Sequence, residues 1–489
     1  MKKNNDNKNC LNRREILVSA ANGVTVLSFP SLFSKLVMPT VAEAVKPDLP
    51  YLEMGCSGGA GVYDWFQAVG ENGEPMSDNG LARHMLAPDA LSRMGAAAPI
   101  NGLVSPQDSA FVAGLVSTAS AAALAVTRIV SVFAQTTNDN QTDDQSPSGI
   151  LPTLARLGLA GQISQTAGTS ASNTGSNYIP FETNNSAEYF TISNANSFFG
   201  KADLSQYLTN KASGNTALRR AVVDGLIGLS RRDLARLTAS PRQAAYAVSS
   251  GAAYTKLPEK LSTTTSDSLN PQNNAAFTGA FPTANFNVAQ ANSALPTGLF
   301  NVMMGNIAAF GFNEGGFDYH NNTVASVRTK DNNKGAQLGR IIQAAFALQK
   351  PLFIRIMTDG GLGPSGQQPR PSAAGELALA SGGLDPTKEW WGGDRDRTSG
   401  SFCLLVDPLG QFPAFRRRHA GGVNPATGDA INTTATGNAQ KASGFVLALY
   451  LSLNNMESSI EPALLRSRPD APLTPDDVKK IREELAKVR

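Results

Sequence analysis

One stretch constrains the fold of this chain more than any other: a helix pattern that leads directly into an apolar strand pattern. Between residues 334 and 349, apolar side chains recur at the spacing of one helix face. Pro351 ends the helix, residues 352–357 are apolar, and Asp359 follows two positions later. Because another apolar run, 299–312, precedes the helix, this order predicts a βαβ unit and hence a largely parallel sheet.

The segment before this helix reads Gly315-Gly316-Phe317-Asp318-Tyr319-His320. Its glycines permit a turn and a close approach of the backbone to a ligand. On an extended segment, Asp318 and His320 point to the same face, since they are two residues apart. Such a pair offers an oxygen and a nitrogen ligand to one divalent metal ion. The alternative is a polar turn in which Asp318 caps a backbone amide and His320 packs on the surface.

A second polar segment, Asp394-Arg395-Asp396-Arg397, precedes the apolar residues 401–406. It follows a connection of about thirty residues, 363–390, whose length is typical of a functional loop. Right-handed crossovers bring the ends of parallel strands to one edge of a sheet. We therefore expect four side chains to converge in one cleft, with Arg397 in or beside it: Asp318, His320, Asp359 and Asp396.

Charge and composition exclude one class of partner. The 489 residues carry a net charge of +3, with 17% charged and 41% hydrophobic residues. This content is ample for a large core, and no basic tract marks a nucleic-acid surface. No segment after the N-terminal region has the pattern of a transmembrane helix.

The N-terminus has the pattern of an export signal. Arg13 and Arg14 precede a weakly apolar stretch, 16–41, and Ala42-Glu43-Ala44 is a small-x-small cleavage site. The arginine pair is typical of a twin-arginine signal, which predicts a mature protein that starts near Val45 and resides in the periplasm or outside the cell. The alternative, an uncleaved membrane anchor, is disfavoured by Pro30 and Lys35 within the stretch.

The mature chain keeps two cysteines. Cys10 lies in the signal, whereas Cys56 and Cys403 each lie on a predicted central strand. An oxidising compartment permits a disulfide between them, and we expect the two residues to lie near each other. Two buried free thiols are the alternative.

The remaining pattern predicts one large α/β domain over 45–460, with an insertion at about 165–296 and a C-terminal tail with a helix at 461–489. Further segments have the patterns of these elements: a strand at 51–56 before a glycine-rich turn, a strand at 111–116 followed by an alanine-rich helix, helices at 150–163, 204–257 and 442–454, a helix or helix pair at 290–309, loop structure at 260–296, and a last helix capped by Thr474 with Pro475 at its first position.

These motifs, in this order, resemble a bacterial family of twin-arginine-exported proteins whose function is not established, related to the sulfatases and the alkaline-phosphatase superfamily. The resemblance rests on Gly58-Gly59, on 315–320, on 352–359 and on 393–400, and it covers most of the mature chain. It implies a three-layer α/β fold, a metal-binding face, and hydrolysis of phosphate or sulfate esters.

The resemblance assigns Asp318, His320, Asp359 and Asp396 as metal ligands, but the chain departs from the family pattern at Arg397. The family has histidine there, and arginine cannot ligate a metal. Three alternatives follow: a carboxylate-rich site for one hard ion such as Ca²⁺ or Mg²⁺, an anion held by Arg395 and Arg397, or a decayed site that binds without catalysis. His84 and His419, which are flanked by arginines, are interpreted as surface residues.

Two function classes stay open. One is an exported metal-dependent hydrolase of phosphate or sulfate esters. The other is a non-catalytic binding or scaffold protein that keeps the fold, with an anionic small molecule or an envelope component as its partner. The missing histidine favours the second.

Overall fold

The computed structural model describes residues 48–77, 100, 105, 109–135, 147–159, 161, 164–169, 180–182, 189–202, 266–282, 286–317, 324–360 and 398–489. These residues belong to one compact unit, Val45–Ser213 with Thr264–Arg489; a second unit, Met1–Ala44 with Gly214–Thr263, lies outside them. The predicted export signal and the predicted helix at 204–257 fall outside the described residues.

Eight strands form one sheet in the order β4-β3-β5-β1-β6-β7-β2-β8. The strands are β1 (Tyr51–Cys56), β2 (Thr127–Gln135), β3 (Ser164–Gly168), β4 (Tyr189–Thr191), β5 (Ile307–Glu314), β6 (Leu352–Thr358), β7 (Thr398–Val406) and β8 (His419–Ala420). Among the described strands, β7 alone runs antiparallel to its neighbours, β6 and β2. The predicted mostly parallel sheet is therefore confirmed.

Helices cover both faces of this sheet. The described helices are α1 (Val62–Trp65), α2 (Ala110–Thr118), α3 (Ala121–Ala125), α4 (Leu151–Arg156), α5 (Ala195–Ala202), α6 (Ser266–Leu269), α7 (Ala275–Ala280), α8 (Ala294–Met303), α9 (Val324–Ala347), α10 (Ala439–Leu453), α11 (Glu457–Leu464) and α12 (Pro475–Val488), with 3₁₀ turns at Pro271–Asn273 and Ala291–Ser293.

The core is divided by the sheet into two parts, because successive residues of a strand point to opposite faces. On one face, Leu52 and Met54 of β1 pack with residues of α2, α8 and α9. On the other face, Tyr51 packs with residues of α4, α10 and α12. The result is helix layer, sheet and helix layer, the three-layer α/β architecture that was expected.

The first of these layers contains a very close helix pair, α2 and α9. A Cβ atom on Gly335 would lie 1.9 Å from the carbonyl oxygen of Phe111, and one on Gly114 would lie 2.0 Å from that of Asn332. Thr118 also donates a hydrogen bond of 2.8 Å to the carbonyl of Ala336. Glycine at these positions lets the two backbones come into contact.

Four predictions about individual elements were wrong. Residues 111–116 lie in helix α2, and the alanine-rich run leads into strand β2, so the strand follows the helix. The helix or helix pair expected at 290–309 is present as the 3₁₀ turn and α8, but it ends at Met303, and 307–309 begin β5. The helix expected at 150–163 ends at Arg156. The loop expected at 260–296 contains α6, α7 and the first three residues of α8.

The predicted strands at 51–56, 352–357 and 401–406 and the predicted helices at 334–349 and 442–454 are confirmed. The capping of α12 is confirmed too. Thr474 and Asp477 form a reciprocal capping box, and Pro475 occupies the first position.

Candidate functional site

The carboxyl ends of three adjacent parallel strands define the edge where a site was expected. Glu314 of β5 and Thr358 of β6 are both in register with Cys56 of β1, which lies between them. Because β7 is antiparallel and Met357 pairs with Ser401, the amino end of β7 at Thr398 lies at this same edge. The described ends of the segments that carry the predicted ligands thus meet at one edge of the sheet.

The segment 315–317, which leads to Asp318 and His320, is anchored to this edge. Gly316 has φ +79°, a conformation that favours glycine. The amide of Phe317 donates a hydrogen bond of 3.1 Å to the carbonyl of Ser57, and the Phe317 ring meets the Trp65 ring edge to face at 5.9 Å. In the sequence, Asp318 therefore follows directly after Phe317, whose backbone and ring are both held by contacts with the rest of the fold.

Among the predicted site residues, the structure describes Asp359. The other seven lie outside the described residues: Arg13, Arg14, Asp318, His320, Arg395, Asp396 and Arg397. Their convergence with Asp359 therefore stays a prediction.

Asp359 is fully buried and binds the glycine turn that follows β1. Its Oδ1 accepts hydrogen bonds from the amides of Gly58 at 3.0 Å, Gly59 at 2.9 Å and Gly360 at 3.0 Å, and its Oδ2 accepts from Gly58 at 3.1 Å. Gly58 and Gly59 have φ values of +100° and +69°, so consecutive amides point into one concave nest. The carboxylate of Asp359 occupies an anion nest formed by the chain itself.

Two opposing effects act on this carboxyl group. Burial raises the pKa of Asp359, because the charged form loses hydration. The backbone amides of Gly59, Gly58 and Gly360 oppose this rise in pKa, because they stabilise the carboxylate. Both oxygens bind the glycine turn, because Oδ1 accepts the amides of Gly58 and Gly59 and Oδ2 also accepts that of Gly58.

Sequence reasoning missed the polar residues that α9 contributes to this edge. Lys334 is buried, and its Nζ donates at 2.9 Å to Glu314 Oε2 and at 2.9 Å to Gln337 Oε1. One turn earlier, the buried Asp331 accepts a hydrogen bond of 2.6 Å from the indole of Trp65. Residues 331 and 334 continue the apolar face of 338 and 341 at helical spacing, and this pattern was a signal for buried charge.

A second buried polar group was also missed, in the middle of the sheet on the α10 face. Arg355 and Glu53 form an ion pair of 3.4 Å in which neither side chain is exposed. The Tyr51 hydroxyl donates to Glu53 at 2.9 Å, and Arg355 donates to the Ser148 carbonyl at 2.7 Å and to Ser443 Oγ at 2.9 Å. The signal was a single charged residue within each of two apolar strands.

The prediction that both cysteines lie on central strands is confirmed, but the prediction that they lie near each other was wrong. Both are buried free thiols. β6 separates β1 from β7, so the strands are about 10 Å apart, and a disulfide needs Cα atoms within about 7 Å. Cys56 and Cys403 also belong to opposite faces of the sheet. Burial raises the pKa of each thiol to about 12, so both are inert at neutral pH.

Metal ligation by the described residues alone is not supported. Within the described ranges, no group of three or more His, Cys, Asp and Glu side chains could hold a metal ion. Nor does any helix in those ranges have the length and apolar content needed to cross a membrane.

The comparisons with known proteins add no relative to this picture. No family model, no curated protein and no solved structure matches the chain.

Proposed function

We propose that this chain is an exported binding or scaffold protein that keeps an alkaline-phosphatase/sulfatase-like α/β fold without its catalysis. Its export follows the twin-arginine route, and its partner is a component of the cell envelope or an anionic small molecule. The fold supplies a rigid sheet edge on which loops present binding groups.

The observation that carries this proposal is the state of Asp359. A carboxylate ligand of a hydrolytic metal must direct at least one oxygen to the ion, and both oxygens of Asp359 accept backbone amides. Here one oxygen accepts three backbone amides, two of them from the glycine turn after β1. The side chain acts as a structural clamp between β6 and that turn. Together with arginine at 397, where a histidine ligand would be required, this arrangement favours binding over metal-dependent hydrolysis.

The test is elemental analysis of the full chain purified from the periplasm without added metal, with assays for hydrolysis of p-nitrophenyl phosphate and p-nitrophenyl sulfate. We expect less than stoichiometric metal and no turnover above the buffer rate. One tightly bound divalent ion per chain, with turnover that chelators abolish, would contradict the proposal. Replacing Arg13 and Arg14 by lysine should block export, and normal export of that variant would overturn the twin-arginine assignment.

The second candidate function, a metal-dependent hydrolase of phosphate or sulfate esters, is favoured by a different observation. The carboxyl end of β5, the carboxyl end of β6 and the amino end of β7 lie at one edge. The segments that follow or precede these ends carry Asp318, His320 and Asp396. In this case the four predicted ligands would hold one divalent ion, which would polarise the ester oxygen.

Matched carboxylate variants separate the two candidates. Asp407 is a suitable control, because it is buried and accepts backbone amides of Gln411 at 2.8 Å and Phe412 at 3.0 Å, but it follows the opposite end of β7. A hydrolytic site predicts that Asp318→Asn and Asp359→Asn lower metal content, whereas Asp407→Asn does not. The proposed binding protein predicts no change in metal content in any of the three. If Arg397 compensates the carboxylates instead of a metal, Arg397→Ala lowers thermal stability and chelators have no effect.

A further inference from the structure

The last strand of the sheet, β8, carries a polar cluster that lies away from Asp359 and its glycine turn. In the sheet order, β7 and β2 separate β8 from β6. The centre of this cluster is formed by His419 of β8, by Arg417 just before it, and by Glu484 of α12. Its chemistry is therefore independent of whether the carboxyl ends of β5, β1 and β6 bind a ligand or hydrolyse one.

The hydrogen bond between Arg417 and His419 defines the protonation state of the imidazole. Arg417 Nε donates to His419 Nε2 at 2.8 Å. Because arginine has no acceptor and stays protonated in proteins, Nε2 must be the unprotonated nitrogen of a neutral ring, with the ring proton on Nδ1. A protonated ring could not accept this hydrogen bond, and it would place two cations side by side.

The same nitrogen also faces a group that favours the opposite protonation state. His419 Nε2 lies 3.2 Å from the carbonyl oxygen of Glu71, and a carbonyl oxygen only accepts. While Nε2 is unprotonated, two acceptor atoms face each other. Once Nε2 is protonated, the ring donates to this carbonyl. Nε2 therefore has two competing partners, Arg417 and Glu71, and a single proton determines which of them it binds.

The turn that carries Glu71 is held in place beside β8. The amide of Gly70 donates to the Glu74 carbonyl at 2.7 Å, and the amide of Gly73 donates to the Gly70 carbonyl at 2.9 Å. The two backbones are in contact here, because a Cβ atom on Gly422 would lie 2.5 Å from the nitrogen of Glu71. The carbonyl of Glu71 therefore keeps its position, and Arg417 is the partner that can move.

Arg417 connects His419 to the C-terminal helix. Its Nη1 donates to Glu484 Oε1 of α12 at 2.9 Å. The preceding amide, that of Arg416, donates at 2.7 Å to the carbonyl of Val488, the last residue of α12. Arg417 Nη2 is buried and has no hydrogen-bond partner within the described part of the chain, so this guanidinium is not fully satisfied in its present position.

The groups around the ring act on its protonation in both directions. Burial lowers the pKa of His419 most, and the charge of Arg417 lowers it further, whereas the carbonyl of Glu71 and the charges of Glu484 and Glu74 raise it. Ser131, the residue of β2 that pairs with His419, is uncharged. The charged residues near the ring are Arg417 and Arg418 on its own segment, Glu71 and Glu74 on the turn, and Glu484 on α12, which also pairs with Lys487.

We propose that His419 is a pH-sensitive switch between the C-terminal helix α12 and the turn at 70–74. At neutral pH the ring accepts the hydrogen bond of Arg417. When the ring takes up a proton from solvent, Nε2 donates to the carbonyl of Glu71 instead, and charge repulsion displaces Arg417 from the ring. Because Arg417 also binds Glu484, its displacement loosens the last turn of α12, while the sheet stays intact.

The experiment is ¹⁵N NMR of the full chain labelled at its three histidines, with His419→Gln to assign the signal of His419. At about pH 7 we expect Nδ1 to carry the proton and Nε2 to carry none. Arg417→Met removes the competing cation, so the pKa of His419 should rise in this variant. Arg416→Met is the matched control, because Arg416 is exposed on the same segment and binds α12 through its backbone amide. It should leave the pKa of His419 nearly unchanged.

Hydrogen exchange of the Arg416 amide reports on the last turn of α12, because this amide donates to Val488. Its protection, corrected for the intrinsic exchange rate, should fall about tenfold in the wild type between about pH 7 and pH 5, the effect of one lost hydrogen bond. In His419→Gln it should not change over this range. The proposal is overturned by a proton on Nε2 at neutral pH, by an unchanged pKa in Arg417→Met, or by the same loss of protection in His419→Gln. If His419→Gln does not fold, variants of the other two histidines assign the signals, and the position of the ring proton and the Arg417→Met titration still test the switch.

Discussion

Two buried carboxylates, one in the middle of the sheet and one at its edge, are stabilised in different ways. Glu53 is paired with the Arg355 guanidinium and accepts the Tyr51 hydroxyl and the Ile150 amide. Asp359 is held by backbone amides of a glycine turn. A side chain that supplies a full positive charge can be deleted by one substitution, whereas backbone amides cannot. The comparison indicates that Glu53 and Arg355 depend on each other for their stability in the middle of the sheet. Asp359, at the end of the strands, depends instead on the backbone geometry of the glycine turn.

The largest expected effect comes from breaking the mid-sheet pair. Arg355→Met leaves Glu53 charged and buried, and Glu53→Gln leaves Arg355 without its carboxylate, so each should lower the free energy of unfolding by about 3–5 kcal/mol. The double variant Glu53→Gln/Arg355→Met should recover a large part of this loss, because no uncompensated charge remains. The measurement is chemical denaturation of all four proteins, read as a double-mutant cycle.

Additive effects of the two substitutions would contradict the paired description. Loss of the pair should also loosen the connection to α10, since Arg355 donates to Ser443 and Ser148 accepts from the same guanidinium. Hydrogen exchange of the α10 amides is a suitable second measurement.

A smaller loss of stability is expected from substitution of Asp359, at the carboxyl end of β6. Asp359→Asn retains the shape of the side chain but removes the charge that strengthens the amide hydrogen bonds, so it should cost about 1.5–3 kcal/mol. The control Asp407→Asn should cost at least as much, because Asp407 also accepts two backbone amides and in addition pairs with Arg128 at 3.4 Å.

Formate provides the sharper test of the nest. In Asp359→Ala the amides of Gly58 and Gly59 lose their anion, and added formate should restore part of the melting temperature in this variant but not in the wild type. No difference between formate and an equal concentration of chloride would show that the turn does not need an anion.

The sequence predicted where Asp359 lies but not what it does. The apolar pattern of 352–357 was sufficient to place this carboxylate at the carboxyl end of a strand, but not beside the glycine turn that it binds. Its partner, Gly58, is 301 residues away in sequence, and no local pattern indicates which amides a carboxylate will meet. The clamp exists because β1 and β6 are neighbours, which is a property of the sheet order.

Helix α2 was misread as a strand for a related reason. Residues 111–116 form a short apolar run that is consistent with either structure, since its length does not decide between a buried strand and a buried helix. Contact with α9 through Gly114 decides it, and that contact joins segments more than two hundred residues apart. The buried ion pair could have been predicted from the sequence more easily than the fold of α2. Glu53 and Arg355 each interrupt an apolar strand, and single charged residues in such positions predict an ion pair.

The smallest expected effect lies at a third ionisable group, His419, which was interpreted as a surface residue but is half-buried. Its Nε2 lies 2.8 Å from Arg417 Nε, which donates to it, and 3.2 Å from the carbonyl oxygen of Glu71. Burial lowers the pKa of His419 most, and the nearby positive charge of Arg417 lowers it further. The negative charges of Glu484 and Glu74 act in the opposite direction and raise this pKa.

The sign of the pH dependence follows from that shift. A histidine whose pKa is lower in the folded state binds fewer protons there, so its contribution to stability is present above the unfolded pKa of about 6.5 and is lost as the pH falls below it. His419→Gln should keep an acceptor for Arg417 without titrating. The wild type should therefore lose more stability than His419→Gln between about pH 7 and pH 5, and the two should differ little above that range. Free energies of unfolding measured across this window test the expectation, and parallel curves for the two proteins would show that protonation of His419 has no part in the acid sensitivity of the fold.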